Sequence, residues 1–156
     1  MPSFEYELYE KNMTKDQYNK RWWEIVKQYQ GIVPPSARGE QFCDACTKTH
    51  INDDAAQYYD YALSYVLLFQ MHDHIAAKIL KQDPHATDYY GSKKVGDFLR
   101  KIMTPGSSRD WRVVLKETTG EDLSAKAMLR YFEPLTVYLK KQNAGRKYTL
   151  PELPTS

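Results

Sequence analysis

From Asp53 to Asp83 the chain carries neither glycine nor proline, and no other stretch of it runs so long without one. Two carboxylates, Asp53 and Asp54, open the stretch and suit the positive end of a helix dipole. Asp83-Pro84 closes it, so the spacing predicts the longest helix of the chain, ending near Lys81. The remaining punctuation also reads as helices. Thr14 with Gln17 forms a capping box that predicts a helix to about Gln30, stopped by Gly31. Ser92 to Met103 predicts another. Ser108 is the expected cap of a helix with Trp111, Val114 and Leu115 on one face, ended by Gly120. Ser124 is the expected cap of the last, with Met128, Leu129, Phe132 and Leu135 at helical spacing and Pro134 as an expected kink. No segment reads as a convincing strand, so the expected fold class is all-α, built as a single helical segment over 1–156. Residues 31–52 form a long irregular stretch of the kind that lines clefts, and the tail 144–156 is polar and extended. The stretch Phe4 to Tyr9 begins without a cap, as a helix cut from a larger fold would.

Charge and composition exclude several functions. With 22 basic and 20 acidic residues closely mixed, no electrostatic case exists for nucleic acid or an anionic membrane. The apolar runs are too short to span a bilayer. The first residues do not form a signal peptide.

The chemistry-bearing residues gather around the long helix. Tyr58, Tyr61 and Tyr65 fall at i, i+3 and i+7 and share one side, beside an apolar stripe of Ala62, Val66 and Phe69 expected to face the core. The tyrosines suit either partly buried packing or a polar wall able to donate to an oxyanion. Lys48 and His50, read as extended chain, would point the same way and could hold a carboxylate and a carbonyl together; a solvated loop is the plain alternative. His72 and His74 stand two apart on a helix and so face opposite sides, which makes them structural or surface histidines rather than a metal pair. His85 has no nameable partner. Cys43 and Cys46 read as two thiols or a local disulfide, with a metal site using His50 as the lesser option.

Several ordered segments carry a resemblance. Tyr18-Asn19-x-x-Trp22-Trp23, Tyr29-Gln30-Gly31, Pro34-Pro35, Lys48-Thr49-His50-Ile51, Tyr58-Tyr59-Asp60-Tyr61, Phe69-Gln70-Met71-His72 and Tyr131-Phe132-x-Pro134-Leu135 follow one another as in the angiotensin-converting-enzyme family of zinc peptidases. The chain resembles the C-terminal quarter of such an enzyme, of bacterial type. The resemblance implies an all-helical peptidyl-dipeptidase that releases dipeptides from peptide C-termini. It implies that Lys48 and Tyr58 grip the terminal carboxylate, that Tyr65 lines the pocket for the last side chain, and that His50 and Tyr61 act catalytically, donating to a substrate carbonyl and to the oxyanion. The family's zinc belongs to the complete enzyme: no His-Glu-x-x-His occurs in this chain, so no metal ligand and no unaided activity are expected here. The arginines that bind an activating chloride in animal members are replaced by Asp60 and Val26, which implies chloride independence. A periplasmic or secreted location follows from the family alone. The expected partners are a peptide C-terminus and either the remainder of the peptidase fold or a second copy. The alternative is a non-catalytic helical module for peptide binding or dimerisation.

Overall fold

The computed structural model describes residues 1–154, and they are helical, without strands among them. The chain divides into two compact units, one comprising Met1–Tyr61 and the tail from Gly145, the other Ala62–Ala144.

In the first unit, α1 (Pro2–Glu10) enters through proline at its first turn, where the missing N–H costs nothing. The unit's second helix, α2, covers Tyr18–Gln30 after a 3₁₀ turn, Lys15–Gln17. The expected capping box is not made. Thr14 makes no cap hydrogen bond; instead the Glu40 carboxylate accepts from the backbone N–H groups of Asn19 and Lys20, both at 2.8 Å. An acid twenty residues away thus does the capping, and its charge suits the helix end. Gly31 ends α2 in the left-handed region at φ 69°, its N–H on the Lys27 carbonyl. Phe4, Trp22, Ile25, Val26, Ala45 and Ile51 form the core of this unit. Phe4 meets Trp22 edge to face at 5.5 Å, and each such buried side chain is worth roughly 1.5–3 kcal/mol. Arg21 clamps Glu7 with two bonds, of 2.5 and 2.6 Å, tying α2 to α1. The tail returns over α2: Leu150 lies against Gly31 and Glu152 pairs with Lys27.

The long helix starts later than the sequence implies. A short α3 (Thr49–Asn52) comes first, and α4 covers only Tyr59–Asp73. Between them Ala56 takes a left-handed backbone at φ 61°. Its N–H is given at 2.8 Å to the carboxylate of Glu5, a buried acid on α1. That tertiary bond overrides the helical preference of Ala55-Ala56.

Beyond Asp73 the helix widens into a π segment, His74–Leu80, and Lys81 ends it close to the expected place. The second unit packs Ile75, Val95 and Phe98 with Ile79, Leu99 and Ile102. Helix α5 (Lys93–Met103) falls in the expected segment and is capped by Ser92, and α6 (Trp111–Thr119) by Asp110 rather than Ser108, because only Asp110 reaches the Arg112 N–H. Helix α7 (Lys126–Gln142) runs on through Pro134. Two apolar stripes are not core. Ala62 is exposed and Gln70 is the fully buried residue of α4; its amide grips the Asp122 carbonyl and the Ser124 N–H. Along α7 only Ala127 is buried, and Leu129 remains 66% exposed.

The histidines of this unit each contact neighbouring groups. His72 bonds the Pro84 carbonyl through Nε2, and His74 stacks on Phe98, where burial lowers its pKa. His85 does have partners: it stacks on Tyr131 and bonds the Tyr131 carbonyl and Asp83, which together raise its pKa.

Candidate functional site

The loop leading to Lys48 is irregular but closely held. Asn19, fully buried on α2, donates its side-chain amide to the carbonyls of Arg38 and Gly39 and accepts from the Asp44 N–H at 2.9 Å. Asp44 is the other anchor. Its carboxylate accepts two bonds of 2.7 Å from the Arg38 guanidinium and one of 2.8 Å from the Trp23 indole. Arg38 foremost, then Trp23, holds the Asp44 carboxyl down at about 2, so it stays ionised throughout the physiological range. Trp22 and Trp23 thus divide their tasks, one filling the core and the other fixing the loop. Asp44 and Asn19 were not singled out from sequence as supports of the site; an acid placed between two cysteines is the one local signal available.

The cysteines form a disulfide, Cys43–Cys46. This settles the alternatives left by the Cys-x-x-Cys spacing and removes both thiols as metal ligands. Among the described residues no three histidine, cysteine, aspartate or glutamate side chains come together. The described residues therefore do not fit the zinc of the family.

A 3₁₀ turn, Ala45–Thr47, which contains Cys46, leads to Lys48, whose N–H bonds the Ala45 carbonyl. Lys48 is extended, but His50 lies inside α3, so the two do not share one extended strand as their spacing suggests. The turn into α3 instead brings His50 to the tyrosines. Its ring meets Tyr58 edge-on at 4.8 Å and Tyr61 at 6.1 Å, and the two tyrosine rings are 5.0 Å apart. The break at Ala56 delivers Tyr58 to this cluster, half-buried just ahead of α4, while Tyr61 is more open. Lys48 and Tyr58 line one cavity of about 470 Å³, walled by Trp22, Trp23, Val26 and Asp44. No acid among the described residues pairs with the Lys48 ammonium, and Asp44, the carboxylate on that wall, is already neutralised by Arg38. The cavity therefore offers a free cation and a phenol against apolar walls, a setting for a ligand carboxylate. Tyr65 belongs to the second unit, on the body of α4, with its ring exposed.

The sequence matches the peptidase M2 family, described as angiotensin-converting enzyme, over residues 1–150. It is 42% identical over 128 residues to angiotensin-converting enzyme of Mus musculus, covering 81% of this chain and 10% of that protein. It is 37% identical to the angiotensin-converting enzyme-like protein Ace3 of Mus musculus, over 94% of this chain and 20% of that one. To the angiotensin-converting enzyme-related protein of Drosophila melanogaster it is 32% identical, over 90% of this chain and 24% of the relative. The chain thus spans a quarter or less of the length of these relatives. They are animal proteins, so the bacterial type expected from the sequence gains no support from them.

Proposed function

We propose, from the premise that this chain belongs to the angiotensin-converting-enzyme family of peptidases, that it is the substrate-binding side of a zinc-dependent peptidyl-dipeptidase and is inactive without the metal-bearing remainder. The observation that carries this reading is the cavity shared by Lys48 and Tyr58, beside the cluster of His50, Tyr58 and Tyr61. Lys48 supplies a point charge and Tyr58 a directed donor to the terminal carboxylate, which favours a free C-terminus over an internal peptide bond. His50 donates to a substrate carbonyl. Tyr61 donates to the developing oxyanion. Tyr65 lines the pocket for the last side chain. By its family, the parent protein is exported; among the described residues no helix is long and apolar enough to cross a membrane.

The test is a calorimetric titration of this chain with a dipeptide and with its C-terminal amide. The free acid is expected to bind about tenfold or more tighter, the worth of a charge-assisted hydrogen bond, and Lys48→Ala should abolish that preference. Equal binding of acid and amide would sink the reading. A second expectation concerns anions. Val26 is packed in the core and Asp60 carries a negative charge, so neither can hold chloride. Peptide hydrolysis by the complete enzyme should stay within about twofold when chloride replaces acetate at fixed ionic strength; a several-fold rise would refute it.

The exposed side of α7, with Phe132, Leu135 and Leu139 open to solvent, favours a second reading. An apolar face of this kind marks association, with the remainder of the peptidase fold or with a second copy. Sedimentation of this chain should then depend on its concentration; a constant monomer mass up to millimolar protein would set the second copy aside.

A further inference from the structure

Lys48 stands two residues beyond a disulfide. The loop is held unevenly on the two sides of that bond. Up to Ala45 it is pinned to α2 through Asn19, through Trp23 and through the buried Ala45 itself. After Ala45 the next core anchor is Ile51. The segment between them carries Cys46, Lys48 and His50. Apart from the turn's own backbone bonds, what fixes its departure from Ala45 is the Cys43–Cys46 bridge and two hydrogen bonds, from the Asn52 amide to the Cys46 carbonyl at 2.6 Å and from the Thr47 hydroxyl to the Asp44 carbonyl at 2.7 Å. Cys46 is solvent-exposed and Cys43 half-buried. An exposed disulfide is open to thiolate attack, and exposed bridges are the ones that prove labile or regulatory.

We propose that the Cys43–Cys46 disulfide is a thiol-exchange site, reducible by a dithiol, whose oxidised form sets Lys48 for carboxylate binding. The chemistry balances with one dithiol. A thiolate of the reductant attacks Cys46 Sγ, the accessible sulfur; the bridge breaks, and Cys43 leaves as the thiolate. The reductant's second thiolate then attacks its own sulfur in the mixed disulfide and releases Cys46. The dithiol gives up two electrons and becomes a disulfide, and the two protein thiolates take up its two protons. Reduction leaves the Asp44 anchor in place, so the unit stays folded while the segment from Cys46 to His50 gains freedom. The cost falls on Lys48, which must then be ordered again on binding.

The inference rests on the carboxylate-binding reading above, and its test keeps the two apart. The purified chain is measured oxidised, after treatment with dithiothreitol, and as the Cys43→Ser/Cys46→Ser variant. Reduction should release two thiols with the helical circular dichroism unchanged. The dipeptide should bind at least about fivefold more weakly to the reduced chain, the lower end of typical coupling between two sites. The serine variant should bind like the reduced chain and ignore the reductant. Equal affinity in both redox states overturns the proposal. If no form binds the dipeptide, the carboxylate-binding reading fails and the amide resonances from Thr47 to His50 decide: a shift confined to that segment on reduction supports the exchange site as a loop switch, and unchanged resonances overturn it. Failure of the folded chain to yield thiols overturns it as well.

Discussion

Tyr61→Phe is expected to lower kcat about 10²–10³-fold in a peptidase assembled around this segment, with KM changed little. The substitution keeps the ring, so its packing 5.0 Å from Tyr58 and 6.1 Å from His50 survives. What disappears is one hydroxyl. Loss of a donor to the oxyanion costs about 3–4 kcal/mol in the transition state. Steady-state kinetics on a tripeptide, with this chain joined to the zinc-bearing part of a relative, provides the measurement. A kcat within threefold of the parent would return Tyr61 to the role of a packing residue. Tyr58→Phe serves as the contrast: by its place on the Lys48 cavity it should raise KM more than it lowers kcat.

The second large effect lies away from the cavity. Asn19→Ala is expected to destabilise the first unit by about 3 kcal/mol or more and to abolish dipeptide binding, although Asn19 is not proposed to touch substrate. Its side chain satisfies two carbonyls and one N–H of the loop from a fully buried position. Alanine leaves those three groups without their partner, at roughly 1–3 kcal/mol for each that stays buried. Collapse of the loop would let water reach them, which limits the stability loss but moves Asp44 and the turn behind Lys48. Urea denaturation gives the first quantity and calorimetry the second. A loss below about 1 kcal/mol with binding intact would mean that the Asp44 anchor holds the loop unaided.

How much of this was legible in the sequence depends on how local each cause is. The stops at Gly31 and Gly120 arise within a few residues, and they stand where the sequence places them. The start of α2 does not, because the Glu40 carboxylate supplies the cap expected of Thr14. The long helix fails in its first turn for the same reason: nothing between Asp53 and Tyr58 announces that Ala56 will give its N–H to Glu5. The apolar face of α7 reads correctly as a stripe, yet a stripe states only that something covers it, not that this chain does. At the candidate site, resemblance picked out Lys48, His50, Tyr58 and Tyr61, whereas the strand argument for Lys48 and His50 gave the wrong geometry. Two residues apart means one side only while the backbone stays extended, and α3 begins between them. The supports, Asn19, Arg38 and Asp44, act through contacts across the fold, which no window of neighbouring residues reveals.

The hydrogen bond between Glu5 and Ala56 bears on how motifs of this kind are recognised elsewhere. A shortened relative lacking α1 would keep every letter of the Lys48-to-Tyr61 signature. Without the acid of α1, its alanines would be free to wind into one continuous helix from the aspartates onward, and the break that delivers Tyr58 to His50 would be lost. Gene fragments and spliced forms that begin after α1 would then score as peptidases on the signature while lacking the constellation it stands for. The presence of an acid on the preceding helix, rather than the signature alone, is the feature by which such chains can be sorted.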